Sequence, residues 1–424
     1  MDTVILLTST YPYGKGEEFI ENEIKILAEK SNKVIVIAME VNPAAQTMRE
    51  TADNVTPFRI DTRVSKVTKL KKMAFNVLNI LSSRNEAYKS EIRKRKKIAE
   101  KVYLLRMEER SLHIWNEIVR SGTLKGLEKD SIIIYSYWLY LTARVGAIIK
   151  EQSGLDIKFM VSRAHGYDLY EERSPVNYLP YRNYFFNMYD LIAPCSRNGA
   201  EYLTKMKNMG KASIATSYLG THDYGIKQAD KSETLYIVSC SSLVPLKRVN
   251  RIASALRLVG NSININWTHI GSGTDYAIVE RTIQQLPSNV KVSLLGILSN
   301  PQVMSFYANE PVDLFVNVSS TEGLPVSIME ALSFGIPVVC TNVGGTTELV
   351  QDGVNGYLLD KDFEEEELAV KIERFMDMKK NREVFEFRAA ARSIWEKNFN
   401  AEVNYKEFWD KVERLTTELV DNDS

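Results

Sequence analysis

Cysteine is scarce: Cys195, Cys240 and Cys340 are the only three in 424 residues, far apart, with no Cys-x-x-Cys pair and no His at metal-ligand spacing. That excludes a disulfide framework and a thiolate metal knuckle, and buried, reduced thiols fit the cytoplasm. No apolar run reaches the roughly 18 residues of a membrane-spanning helix. The first apolar run, residues 4–7, lacks the basic lead and long core of a signal peptide. The expectation is a cytoplasmic chain that crosses no membrane yet is able to sit peripherally on the inner face of one. Charge of one sign is missing as well. Lys+Arg and Asp+Glu are equal at 54 each, so no overall field draws the chain to nucleic acid, and none is expected as a partner.

With 44% hydrophobic and 25% charged residues the composition is that of an ordinary globular protein. The length exceeds one core and suits two domains. Short β-branched runs at 4–7, 34–38, 132–135, 159–161 and 191–193 alternate with helix-compatible stretches. The pattern restarts after about residue 225, with runs at 235–238, 265–270, 292–295, 314–318, 337–340 and 357–359. Continuous apolar strands alternating with helices predict an α/β fold of two Rossmann-like, doubly wound parallel sheets facing a cleft at the carboxyl ends of their strands. The predicted division is 1–222, a linker within 221–232, and 226–395. A terminal helix at 396–424 is expected to pack back on the first domain through the aromatics that end the helical stretch 363–419, including Tyr405, Phe408 and Trp409. A helical insertion spans about 63–115. Its part from 63 to 97 carries twelve Lys or Arg against two Glu, with apolar residues at helical spacing, and so reads as a basic amphipathic segment.

The richest string lies at 320–350: Glu322-Gly323-Leu324-Pro325-Val326, then Met329-Glu330-Ala331, Gly335 and Gly344-Gly345-Thr346-Thr347-Glu348. A strand ends, a glycine turn follows, Pro325 can open a helix and Gly335 can close it. Free amides and the helix dipole at such a start suit phosphate or sugar oxygens. Glu330 lies more than a turn beyond Glu322, so the two carboxylates serve different parts of one ligand. A second strand end, Ser239-Cys240-Ser241-Ser242-Leu243, runs into Lys247-Arg248, which can neutralise charge on a leaving diphosphate. In the first domain, Gly14-Lys15-Gly16-Glu17 follows the first strand, and Arg163-Ala164-His165-Gly166-Tyr167-Asp168 closes another.

These strings resemble family-4 retaining glycosyltransferases, of the glycosyl transferases group 1 type, and in particular bacterial capsular and exopolysaccharide enzymes. The likeness extends over nearly the whole chain and is strongest at 235–359. It implies the GT-B fold. It also implies that Glu322 binds donor-sugar hydroxyls, Glu330 the ribose, the backbone of Gly323, Leu324, Pro325 and Val326 the sugar and diphosphate region, and Leu295 to Ile297 the base. Lys247 matches the family's phosphate-binding lysine. Ser242 stands where the family has arginine, and Arg248 is the residue that could compensate. By the same likeness Gly16 belongs to a loop closing over phosphate and acceptor, and His165 sits near the sugar's C6 hydroxyl and reacting carbon. Asp168 follows in the same element.

Two look-alikes fail. Gly271-Ser272-Gly273 has Tyr276 where the dinucleotide fingerprint wants glycine, and Asp360-Lys361-Asp362 reads as a solvated loop. No cofactor and no catalytic metal are expected. The implied activity is transfer of a sugar, with retained configuration, from a nucleotide-diphosphate donor, leaning to UDP, onto a glycan or lipid-linked acceptor, with domain closure completing the site. A catalytically silent GT-B partner subunit and a nucleotide-sugar epimerase stay open beside it. The basic segment 63–97 has a reading as a dock on anionic lipid and another as a solvated hairpin.

Overall fold

The computed structural model describes residues 1–14, 17–42, 44–45, 48–60, 86–207, 209–228 and 230–422, with side chains to Leu419. Gly16 and most of the basic segment, 63–85, lie outside the described residues. The chain forms two compact units, Met1–Ser217 with Tyr405–Ser424, and Tyr218–Asn404.

The first unit is built on a seven-stranded sheet of order β3-β2-β1-β4-β5-β6-β7. Its strands are β1 (Thr3–Thr8), β2 (Lys33–Ala38), β3 (Val55–Arg59), β4 (Ile132–Ser136), β5 (Ile157–Ala164), β6 (Leu191–Pro194) and β7 (Ser213–Ile214). All are paired in parallel. Alternation along each strand divides the core into two layers. Ile5, Leu7, Ile35, Ile37 and Ile134 face one set of helices. Val4, Leu6, Val34, Val36 and Tyr135 face the other, joined there by Phe408, Trp409 and Val412 from the last helix, Ala401–Asn422.

The second unit repeats the plan with six parallel strands of order β10-β9-β8-β11-β12-β13. They are β8 (Thr234–Cys240), β9 (Asn264–Ile270), β10 (Val290–Leu294), β11 (Leu314–Asn317), β12 (Val338–Thr341) and β13 (Gly356–Leu359). In both sheets the order reverses beside the first strand, between β1 and β4 and between β8 and β11. Loops leaving the carboxyl ends there diverge to opposite faces and leave room for a ligand. No helix among the described residues is long and apolar enough to cross a membrane.

Candidate functional site

In the second unit the loops after β8 and β11 flank the reversal point, and each supplies one half of an ion pair. β8 ends at Cys240, and the chain turns through Pro245–Lys247 into helix Val249–Leu256. β11 ends at Asn317 and reaches helix Val326–Ser333 through the Glu322 turn. Lys247 Nζ lies 2.5 Å from Glu322 Oε1, and Asn317 Nδ2 donates to the same oxygen at 3.3 Å. Glu322 is only 8% exposed. Taking a carboxylate out of water is costly unless it is paired and hydrogen-bonded, and Glu322 is both.

Glycines make this approach possible. Gly344 has φ +57°, and a Cβ there would stand 2.0 Å from the Glu322 carbonyl oxygen. The Gly345 amide donates to the Gly323 carbonyl at 2.8 Å, which fixes the Glu322 turn against the loop after β12. Gly271 and Gly273 serve the neighbouring loop in the same way. A Cβ on Gly273 would meet the Leu243 carbonyl oxygen at 2.2 Å. These two glycines therefore layer the β9 loop under the β8 loop, a packing role in place of dinucleotide binding.

Pro325 is the N-cap of helix Val326–Ser333, and no side chain caps it. Its first amides stay available to an anion, with the dipole's positive end behind them. Gly335, at φ +68°, ends the element as expected. On the inner turn, Glu330 accepts a hydrogen bond from Asn300 Nδ2 at 2.6 Å. Burial drives its carboxyl up to about 7, and the Asn300 bond pulls the other way. Burial, with Glu330 near, also pushes the Cys240 thiol up to about 12. Leu295 and Ile297 are exposed at the end of β10, where the Gly296 carbonyl accepts from the Gly271 amide at 2.8 Å.

Arg248 and Ser242 fare differently from Lys247. Arg248, at φ +51°, directs its guanidinium to the carbonyls of Val318, Ser319 and Lys361 at 2.8, 3.1 and 2.8 Å. It thus ties the β8 loop to the end of β11 by backbone contacts. Ser242 is exposed. Among the described residues one group of acids, Glu364, Glu365 and Glu366, is close enough to hold a cation, but Glu365 is already paired with Arg251 at 2.7 Å.

In the first unit His165 follows β5 and caps the short helix Gly166–Leu169. Its ring lies 5.3 Å from Tyr137, 4.4 Å from Trp138 and 5.9 Å from Phe19, centroid to centroid. Among the described residues neither ring nitrogen has a hydrogen-bond partner. Burial, and then Arg163, lower the imidazole to about 3, so it is neutral and offers one donor and one acceptor to a hydroxyl. Asp168 accepts the amides of His165 and Leu139, each at 2.6 Å, and so fixes the loops after β5 and β4 to one another. Burial raises its carboxyl to about 7, those amides opposing.

Glu17, Asn300 and Asn317 were not singled out from the sequence. The Glu17 carboxylate accepts the amides of Ser9, Thr10 and Tyr11 at 2.9, 2.6 and 2.7 Å and Trp138 Nε1 at 2.5 Å. It holds the turn after β1 against the ring that touches His165. The signal available was an acid beside glycines just after a strand.

The two-sheet architecture with flanking helices is the GT-B fold of glycosyltransferases. Residues 225–392, most of the second unit, match the family model of the glycosyl transferases group 1. The solved structure of Anabaena Alr3699/HepE in complex with UDP is similar over 98% of this chain and 100% of its own, with TM-score 0.65 and 18% identity. Among curated proteins, N-acetyl-alpha-D-glucosaminyl L-malate synthase of Bacillus anthracis is 26% identical over 32% of this chain and 34% of its own length. Amylovoran biosynthesis glycosyltransferase AmsK of Erwinia amylovora is 26% identical over 54% of this chain and 58% of its own length. The matched stretches thus span between a third and three-fifths of those two relatives.

Proposed function

We propose that the chain is a retaining glycosyltransferase that takes a sugar from a UDP-sugar without a catalytic metal and passes it to a glycan or lipid-linked acceptor in cell-surface polysaccharide assembly. The observation that carries this reading is the Lys247–Glu322 pair at the β8/β11 reversal, beside an uncapped helix start and a buried Glu330. The glycosyl transferases group 1 match over the same residues supports it, and UDP in the Anabaena structure supports the choice of base.

In this reading Glu330 accepts the ribose hydroxyls, while Leu295 and Ile297 flank the base. The diphosphate meets Lys247 and the amides of helix Val326–Ser333. Phosphate displaces Glu322 from Lys247 Nζ and frees that carboxylate for donor-sugar hydroxyls. Neutral His165 serves a further sugar hydroxyl. The bond between the anomeric carbon and the phosphate oxygen breaks, and its electron pair leaves with UDP. The acceptor oxygen bonds to that carbon on the same face, and its proton passes to the departing phosphate. Position and fixed charge supply the catalysis, so no carboxylate nucleophile is required.

NMR coupling constants of the product formed from an α-linked donor test the stereochemistry: the α-anomer is expected, and a β-product overturns it. Turnover unchanged by EDTA is the matching result for metal independence. The exposed basic residues Arg93, Lys94, Lys96 and Lys97, followed by Ile98 at 79% exposure, support peripheral attachment to anionic lipid. Co-sedimentation with anionic liposomes at low salt and release at high salt is the expected result. Absence of binding at low salt removes that part.

A further inference from the structure

The first unit holds a cavity of about 270 Å³ whose lining includes Glu91, Arg95, Glu171, Tyr178, Arg182 and Lys205. It draws on three parts of the chain: helix Glu86–Arg93 and the turn after it, the segment that leads from Glu171 to Arg182, and helix Arg197–Met206. None of these residues has a task in the sugar-transfer site above.

The unusual member is Arg182. It is 5% exposed, and its Nη2 donates to the carbonyls of Asp168 and Leu169 at 2.7 and 3.3 Å. Among the described residues its Nε and Nη1 have no hydrogen-bond partner. Arg95 repeats the pattern. Its Nε is buried without a hydrogen-bond partner among the described residues, while its guanidinium covers the Tyr178 ring at 4.5 Å. Buried N–H donors of a permanent cation are costly to leave unsatisfied, and two arginines from separate elements leave theirs at one cavity.

The carboxylates in the lining do not satisfy these donors. Glu91 accepts the Tyr178 hydroxyl at 2.7 Å and is shared between Lys94 and Arg95 at 4.0 and 3.7 Å. Glu171 acts on Arg182 only through space, with no hydrogen bond or ion pair between them among the described residues. Lys205 is exposed and adds a third cation. A buried guanidinium behind an exposed lysine is an arrangement that draws in and then dehydrates a compact anion.

We propose that this cavity is a second ligand site, separate from the donor site, for a phosphate-type oxyanion received by Arg182, Arg95 and Lys205. The phosphate has two chemical sources, free phosphate or pyrophosphate in solution and the headgroup phosphate of an anionic lipid beside the exposed basic run at 93–97.

Calorimetric titration of the full chain with inorganic pyrophosphate tests the site, done on a Lys247→Ala background so that the donor-site lysine does not contribute. One saturable site is expected. Lys205→Ala should weaken it about three- to fivefold, the loss of one exposed charge contact. Glu171→Gln should tighten it by a similar factor, and Arg182→Met should abolish it. Lys205 and Glu171 lie outside the core, so their effects decide the matter even if Arg182→Met does not fold. No binding on the Lys247→Ala background, or binding indifferent to both Lys205→Ala and Glu171→Gln, overturns the proposal. Phosphatidylglycerol vesicles distinguish the sources. Sedimentation displaced by pyrophosphate assigns the lipid headgroup, and pyrophosphate binding without sedimentation assigns the soluble anion. The test does not depend on donor binding, so its failure and that of the proposed sugar transfer are read separately.

Discussion

Lys247 and Glu322 pair across 2.5 Å, and each has a different substrate partner in the proposed reaction. Removing the lysine breaks the Glu322 ion pair and removes positive charge where the leaving phosphate develops negative charge. Lys247→Ala should lower kcat by about 10²- to 10³-fold, the magnitude for loss of one preorganised charge-stabilising group. A KM effect with kcat unchanged would place the lysine in ground-state binding only. Glu330 carries the pH dependence. Its carboxyl lies at about 7 against an ordinary 4.5, because burial disfavours the charge. The stability it contributes is therefore fully present below about pH 4.5 and is lost as pH rises through about 7. Ligand-free Glu330→Gln should be more stable than the wild type above pH 7, by up to about 3 kcal/mol, and equal to it near pH 4.5. Nucleotide affinity should move the opposite way and rise through pH 7, because the carboxylate is the better acceptor for ribose hydroxyls. Thermal scans and calorimetry at both ends of that window read the two slopes.

At the scale of elements, the strands that carry apolar runs were legible, the edge strands β10 and β13 among them, and the two edge strands of the first sheet were not. The apolar runs at 4–7 and 132–135 correspond to β1 and β4, whose residues are all buried. β3 contains Pro57 and is largely half-exposed, which an edge strand tolerates, and β7 is two residues long. Neither gives an apolar run to read. The helical stretch 363–419 is three helices, Glu365–Asn381, Val384–Asn398 and Ala401–Asn422. The first ends where Arg382 adopts φ +63°, with no glycine to announce it. In the site, Glu322, Glu330 and Lys247 were legible because a string of residue types marks them. Glu17 was not, because its role depends on a left-handed φ of +57° that turns its side chain back on three amides. Gly273 belongs to a string that fails as a nucleotide motif, yet its lack of a side chain is what lets two loops touch. Gly273→Ala should destabilise the second unit by about 2 kcal/mol, since the contact is with backbone that cannot swing aside. A melting temperature equal to wild type would show that the β8 and β9 loops have more room than the structure gives them.

For the whole molecule, the pattern of runs that stops and restarts near residue 225 foretold two parallel sheets, and the structure has them, of seven and six strands. Each reverses its strand order beside its first strand, which sets the loops bearing Glu17 in one unit and Lys247 and Glu322 in the other at ligand-binding positions. The residues proposed to hold the sugar donor are concentrated in the second unit, where the glycosyl transferases group 1 match also lies. The most direct test of that assignment is a thermal-shift series of the full chain with UDP-, GDP- and ADP-sugars, run beside Glu330→Ala. A ligand specific to the folded state at 100 times its dissociation constant stabilises by about 2.7 kcal/mol. The UDP series should raise the wild-type melting temperature and leave Glu330→Ala unmoved. Equal stabilisation of both proteins, or none by any nucleotide sugar, would contradict it.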